Sequence, residues 1–374
     1  MTLRTRVFLC LLVCASVASA QKRAKNVIVF LADAGGLPTL NAASLHGYDE
    51  PQKLYIQSWS NIALSDTSTA SSWVSDSAAG MTAIVTGVKT HNGVISMGPD
   101  TIRGKQDGTP LKTVLEYAEQ RGLSTGVLSN VNIADATPAA CYARANSRST
   151  FGEIFLQIFK PRFGDGVDVV IGVGRNPISE ALVPVGKTLD GLATEHRRPI
   201  YSSLADVPAD NPRPIVVQER DMNLPEASRL ALRALSKNRR GYFLMIEWDA
   251  HTDNPRRGLD NVVGFDKLIR EIAATVNLNE TLLLFTADHS FELRSIGGRR
   301  GQPVLQGLEE WQAKNAGTRN PVDIPALRVG RSHTGEEVIV AAQGPGSDQV
   351  RGFMPNTRVF QIMMNAWGWK PDAK

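Results

Sequence analysis

The sequence predicts an α/β fold, a three-layer sandwich in which helices cover both faces of a mostly parallel central sheet. Three observations predict it. Several short runs are nearly all apolar and rich in β-branched residues, as suits strands buried on both faces. Helical patterns lie between these runs, and that alternation argues for parallel crossovers. Polar residues follow the runs directly, where open α/β sheets gather their ligands.

The elements follow in chain order. Residues 1–20 pair two arginines in MTLRTR with the apolar run VFLCLLVC and end in ASVASA. This is a secretory signal peptide cut after Ala20, and it is too short to span a bilayer comfortably. The expected location is secreted or periplasmic, with a catalytic domain over 21–374 and no later membrane span. Strands are expected at 26–31 (NVIVFL), 124–129 (STGVLS), 167–171 (VDVVI), 242–246 (YFLMI), 281–286 (TLLLFT) and 337–342 (EVIVAA). Helices are expected at 111–121, closed by Gly122, and at 259–276 and 356–366. The segment 175–240, rich in Pro and Arg, reads as a cap-like insertion. The segment 291–332 reads as a long surface excursion.

Composition narrows the function. A chain of 374 residues with 42% hydrophobic and 21% charged residues is an ordinary globular protein. The leader's arginines supply half of the net charge of +4. Basic residues come in small groups such as Arg299-Arg300, without the long basic stripe of a nucleic-acid binder. Cys10 and Cys14 lie in the leader, so Cys141 stands alone and forms no internal disulfide.

The polar residues at the strand ends carry the chemistry. Asp33 closes the first strand, Glu247 a central one and Asp288-His289 a later one. His251, His289 and His333 lie beside acids or at these junctions, a pattern that favours a metal site. Mixed His and carboxylate ligands suit zinc, and oxygen ligands suit magnesium. Two such ions about 4 Å apart can clamp the attacking and leaving oxygens of a phosphoryl transfer. In that chemistry the stretch VSDSAAGMTA offers Ser77 as nucleophile, and the helix after it offers N–H groups to a phosphate. Alone, Ser77 would read equally well as a plain helix cap.

Five ordered blocks make the chain resemble the alkaline phosphatase family over most of its length. They are LADAGG around Asp33, DSAAGMTAIVTG from Asp76, DATPAA from Asp135, TADH ending at His289, and HTG from His333. The resemblance implies a phosphomonoesterase with a phosphoserine intermediate at Ser77, two zinc ions and one magnesium ion. It implies metal roles for Asp33, Ser77, Asp288, His289 and His333, and magnesium ligation by Thr137 with Asp135 close behind. It implies that Arg148, eleven residues after Thr137, holds the substrate phosphate. The expected partners are small phosphate monoesters.

The match departs from the family at three places. After FLMIE the loop is shorter than usual, and two registers are open. In one, Glu247 serves magnesium while His251 with Asp249 or Asp253 serves zinc. In the other, Glu247 and His251 take the zinc positions. Strand register favours the first, and Asp249 is preferred because it shares a face with Glu247 in extended backbone. Second, LADAGG lacks a glycine beside Asp33, which restricts the backbone there. Third, the chain is short for the family and lacks its larger decorations, so a homodimer, which those decorations build in the family, stays open alongside other oligomeric states. The rival readings are a phosphodiesterase or sulfatase of the same metal superfamily and a non-catalytic secreted protein that binds phosphate or metal. DSAAGMT lacks the sulfatase signature, and Ser77 with Arg148 favours monoesters.

Overall fold

The computed structural model describes residues 23–372, so the expected leader lies outside the described residues. Among the described residues, thirteen strands form two sheets. In chain order they are β1 (Asn26–Asp33), β2 (Asn61–Ser65), β3 (Ser124–Asn132), β4 (Val169–Val173), β5 (Ile200–Tyr201), β6 (Ile215–Gln218), β7 (Tyr242–Asp249), β8 (Thr281–Thr286), β9 (Ser290–Ser295), β10 (Val322–Asp323), β11 (Leu327–Thr334), β12 (Val338–Gln343) and β13 (Gly352–Met354). The main sheet has ten strands in the order β13-β2-β12-β8-β1-β7-β3-β4-β6-β5. Only β12 runs against its neighbours, antiparallel to both β2 and β8.

β1 shows why the sheet is covered on both faces. Val27, Val29 and Leu31 enter one core, while Ile28, Phe30 and Ala32 enter the other. This is the two-residue period of a strand applied to an all-apolar run. Each large side chain so buried contributes roughly 1.5–3 kcal/mol over exposure. On the first face lie the helices Ser77–Thr86, Val114–Gln120, Ala136–Tyr142 and Arg358–Trp367. On the second lie Leu37–Tyr48, Leu224–Leu235 and Pro255–Thr275. The result is the expected three-layer α/β architecture.

Three segments differ in detail from the sequence expectation. The helix expected from residue 111 begins at Val114, because Thr113 caps it and exchanges bonds with Glu116 in a capping box. Within 175–240, β6 pairs with β4 and β5 with β6, so this stretch carries the main sheet outward at one edge. Within 291–332, β9, β10 and β11 form a small antiparallel sheet, and the helix Leu308–Lys314 lies between β9 and β10. Alternating exposed residues and Gly330 hide these strands from a search for apolar runs.

Candidate active site

The carboxyl ends of β1, β7 and β8 converge. Asp33 and Asp249 are register partners across β1 and β7. The chain leaves Asp33 through Ala34, which adopts a left-handed φ of 65°. A non-glycine residue pays about 1–2 kcal/mol there. The Ala34 N–H donates to Asp288 Oδ1 at 3.2 Å, so the turn also positions the carboxylate that follows β8.

Ser77 is the first residue of its helix. Asp76 caps that helix by accepting from the Ala79 N–H at 3.1 Å, and Gly87 ends it in a left-handed conformation. The helix is buried along its whole length. Ser77 Oγ lies 3.5 Å from Asp33 Oδ1 and 3.3 Å from His289 Nε2. Asp135 likewise caps the helix Ala136–Tyr142. Asp76 and Asp135 together hold Arg148, whose two terminal nitrogens reach them at 3.2 Å and 2.8 Å.

The three histidines meet. His289 stacks on His333 with ring centroids 3.7 Å apart. The Nδ1 of His289 lies 3.0 Å from the Ser290 carbonyl, and that of His333 lies 3.0 Å from the Ser75 carbonyl. A carbonyl only accepts, so both Nδ1 atoms carry a proton, and in the neutral imidazoles both Nε2 atoms offer a lone pair. His251 Nδ1 bonds Asp249 Oδ1 at 2.8 Å, and its Nε2 faces His333 Nε2 at 3.4 Å. Two ring nitrogens facing each other in this way suit a cation between them.

Two ligand groups result. The donor atoms of His251, His289 and His333 lie within 4.8 Å of one another, and so do those of Asp33, Asp288 and His289. Behind them Glu247 is fully buried and accepts from the Ser129 hydroxyl. Its Oε1, the Thr137 hydroxyl and Asp288 Oδ2 are buried without a hydrogen-bond partner among the described residues. Unpaired buried oxygens of this kind are costly unless a cation takes them up. The residues present therefore fit metal ions.

Electrostatics agrees. Burial holds Glu247 well above the usual carboxylate range, and the charge of Asp33 adds to it. Burial raises Asp288 to about 6, again with help from Asp33. At His251 burial works downward, yet Asp33 and Asp249 outweigh it and lift the imidazole to about 9. Burial and the charge of His289 push His333 down to about 4. Asp33 itself would rise on burial, but His251 and His289 hold it well below the ordinary range. Crowded like charges of this kind are what a bound cation relieves.

Asp253 stands apart from the histidines. It is half exposed and pairs with Arg257 at 3.2 Å, and Arg257 also reaches Asp249 at 3.6 Å. Asp33, Ser77, Arg148, Asp249, His251 and His333 open onto a cleft of about 500 Å³, with Asp253 at its wall, while Glu247, Thr137, Asp288 and His289 lie buried behind it. Sequence reasoning missed Ser129, Asn130, Arg257 and Arg331. Ser129 and Asn130 lie in the last half of β3, where the strand expected from sequence stops, and brace Glu247 and Asp249, so the strand-end rule could have found them. Arg257 and Arg331 line the cleft from a helix and from β11, and no local pattern marks either.

Carboxylates, imidazoles and a capped serine at the carboxyl edge of a parallel sheet define a metal-dependent α/β enzyme. The alkaline phosphatase profile matches residues 24–192 and 216–322. The chain belongs to the alkaline phosphatase family, and with it to the phosphoric monoester hydrolases. It is 26% identical to alkaline phosphatase 4 of Drosophila melanogaster, over 93% of this chain and 77% of that protein. It is 28% identical to the alkaline phosphatase of Escherichia fergusonii, over 93% of this chain and 86% of that protein. Among solved structures, the alkaline phosphatase of the Antarctic bacterium TAB5 superposes with a TM-score of 0.74 at 23% identity, covering 94% of this chain and all of that one. That of Thermus thermophilus superposes with a TM-score of 0.76 at 21% identity, covering 94% and 92%. No helix among the described residues is long and apolar enough to cross a membrane.

Proposed function

We propose that this chain hydrolyses phosphate monoesters by way of a phosphoserine at Ser77, and that it does so outside the cytoplasm after loss of its leader. The observation that carries this reading is the position of Ser77 Oγ, within 3.5 Å of both Asp33 and His289 at the start of a capped helix. Asp33, Asp288, His289 and Ser77 would hold one zinc ion. Asp249, His251 and His333 would hold the other. Asp33, Thr137 and Glu247 would hold magnesium. When bound, such ions lower the pKa of hydroxyl and water oxygens and offset negative charge on phosphoryl oxygens. Among the described residues Glu247 bonds Ser129 and no histidine, whereas Asp249 bonds His251, which supports assigning Glu247 to magnesium.

The chain's own groups do the rest. Ser77 Oγ attacks phosphorus in line with the leaving oxygen. The N–H groups of Ser77 and Ala78 take no acceptor among the described residues, so they remain for the phosphate. Arg148 presents a guanidinium fork, held by Asp76 and Asp135, to two non-bridging oxygens. Water then cleaves the phosphoserine.

The test is hydrolysis of an aryl phosphate by the zinc- and magnesium-loaded protein, beside a diaryl phosphate and an aryl sulfate. The expected result is monoester turnover that EDTA abolishes and that Ser77→Ala lowers by about three orders of magnitude or more. Preference for the diester would reassign the substrate class. No turnover by folded, loaded protein would leave a binding protein. N-terminal sequencing of exported protein should begin at Gln21.

A further inference from the structure

The cleft contains three arginines, and two of them are already engaged. Arg148 is held by Asp76 and Asp135. Arg257 is held by Asp249 and Asp253. Arg331 lines the same cleft, is exposed, and has no ion-pair or hydrogen-bond partner among the described residues.

Its place is set by an irregularity in β11. Val329 pairs with Leu293 and His333 with Phe291, so residues 330–332 of β11 oppose Glu292 alone. Bulges of this kind bend a strand and re-aim its side chains, often beside active sites. Gly330 permits the close approach, since a Cβ there would meet Glu292 Oε2 at 1.8 Å. The same strand then delivers His333 to the cluster two residues later. Arg331 is thus tied to the site by the backbone that supplies one of its imidazoles.

The rest of the lining favours charge. Among the described residues that line the cleft, only Val131 and Phe291 are apolar. At about 500 Å³ it has room well beyond the scissile phosphate, in the range of small-molecule sites. An alkyl or aryl leaving group finds little apolar wall there. A leaving group bearing a phosphate finds an unengaged guanidinium fork, the side chain best matched to that anion.

Resting on the phosphomonoesterase reading above, we infer that Arg331 is a specificity-determining residue that binds a second phosphate on the leaving-group side. The preferred substrates are phosphoanhydrides and bisphosphorylated alcohols. With pyrophosphate, the bond from the scissile phosphorus to the bridging oxygen breaks. Water supplies the hydroxyl to one product and the proton to the other, giving two phosphates.

Two measurements test this. Calorimetry on metal-loaded protein compares methylenediphosphonate with methylphosphonate, neither of which is a substrate. Arg331→Ala should weaken the diphosphonate at least about fivefold relative to the monophosphonate, and Arg331→Lys should recover part of that loss. Added salt should narrow the gap between the two ligands in the parent. A change in the ratio below twofold, or equal weakening of both ligands, overturns the inference. In turnover, the kcat/KM for pyrophosphate over that for glycerol phosphate should fall about fivefold in Arg331→Ala, and an unchanged ratio overturns it. The binding arm is independent of hydrolysis. Loss of all turnover with the binding ratio intact would sink the Ser77 chemistry and leave the second-phosphate site standing.

Discussion

Gly80 and Asp288 press against each other so closely that a Cβ on Gly80 would lie 2.4 Å from the Asp288 carbonyl oxygen. The helix Ser77–Thr86 and the chain just after β8 therefore meet backbone to backbone, which explains the small residues after Ser77. Alanine is the better helix former by about 1 kcal/mol. Here the collision with backbone outweighs that preference. Gly80→Ala is expected to destabilise the protein by about 1–3 kcal/mol and to weaken zinc binding by displacing Asp288. Thermal melts and metal analysis would show it. A variant as stable as the parent would mean that the two elements can move apart freely.

Arg148→Lys keeps the charge between Asp76 and Asp135 but loses the fork. A loss of about 1.4–2.7 kcal/mol in transition-state stabilisation is expected, which is roughly tenfold to a hundredfold in kcat/KM. Steady-state kinetics with an aryl phosphate checks it. An unchanged kcat/KM would remove Arg148 from phosphate recognition.

Glu247→Gln preserves shape and the neighbour Ser129 while removing the charge from a fully buried site. The variant should carry one divalent ion fewer per chain by mass spectrometry, with the fold retained and turnover lowered about tenfold to a hundredfold. Full metal content in the variant would make Glu247 a structural residue only.

Glu119 lies away from the cleft, on the helix Val114–Gln120, and burial lifts its carboxyl to about 8. Its free value is 4.5. Between these values the folded chain keeps a proton that the unfolded chain releases. Stability from this group therefore falls as pH rises from about 4.5 and levels off above about 8. Glu119→Gln should remove that slope, matching the parent near pH 5 and exceeding it by about 1–3 kcal/mol at pH 8.5. Denaturant melts at the two pH values decide it, and parallel profiles would contradict it.

Legibility in the sequence followed burial. The strands β1, β7 and β8 are buried nearly throughout, so their apolar runs announce them and the acids at their ends. The small sheet was not legible as strands, because β11 has one exposed face and a bulge that breaks its period. His333 could be named from its HTG block, but not the strand that carries it. The loop after Glu247 kept two registers open because β7 ends at Asp249, and alternation says nothing about His251 beyond it. The bond of Glu247 to Ser129 spans 118 residues of sequence, and no local pattern foretells it. Arg331 had no signal at all, since its place in the cleft depends on an opposing strand.

The cleft takes its residues from almost the whole chain, starting with Asp33 at the end of β1 and finishing with His333 on β11. A ribosome adding about 10 residues per second needs roughly half a minute to travel from one to the other. Through that interval the early acids exist without the late imidazole, and no partial product can assemble the complete centre. Activity therefore arrives as a single late event in the life of each molecule, after His333 has been synthesised.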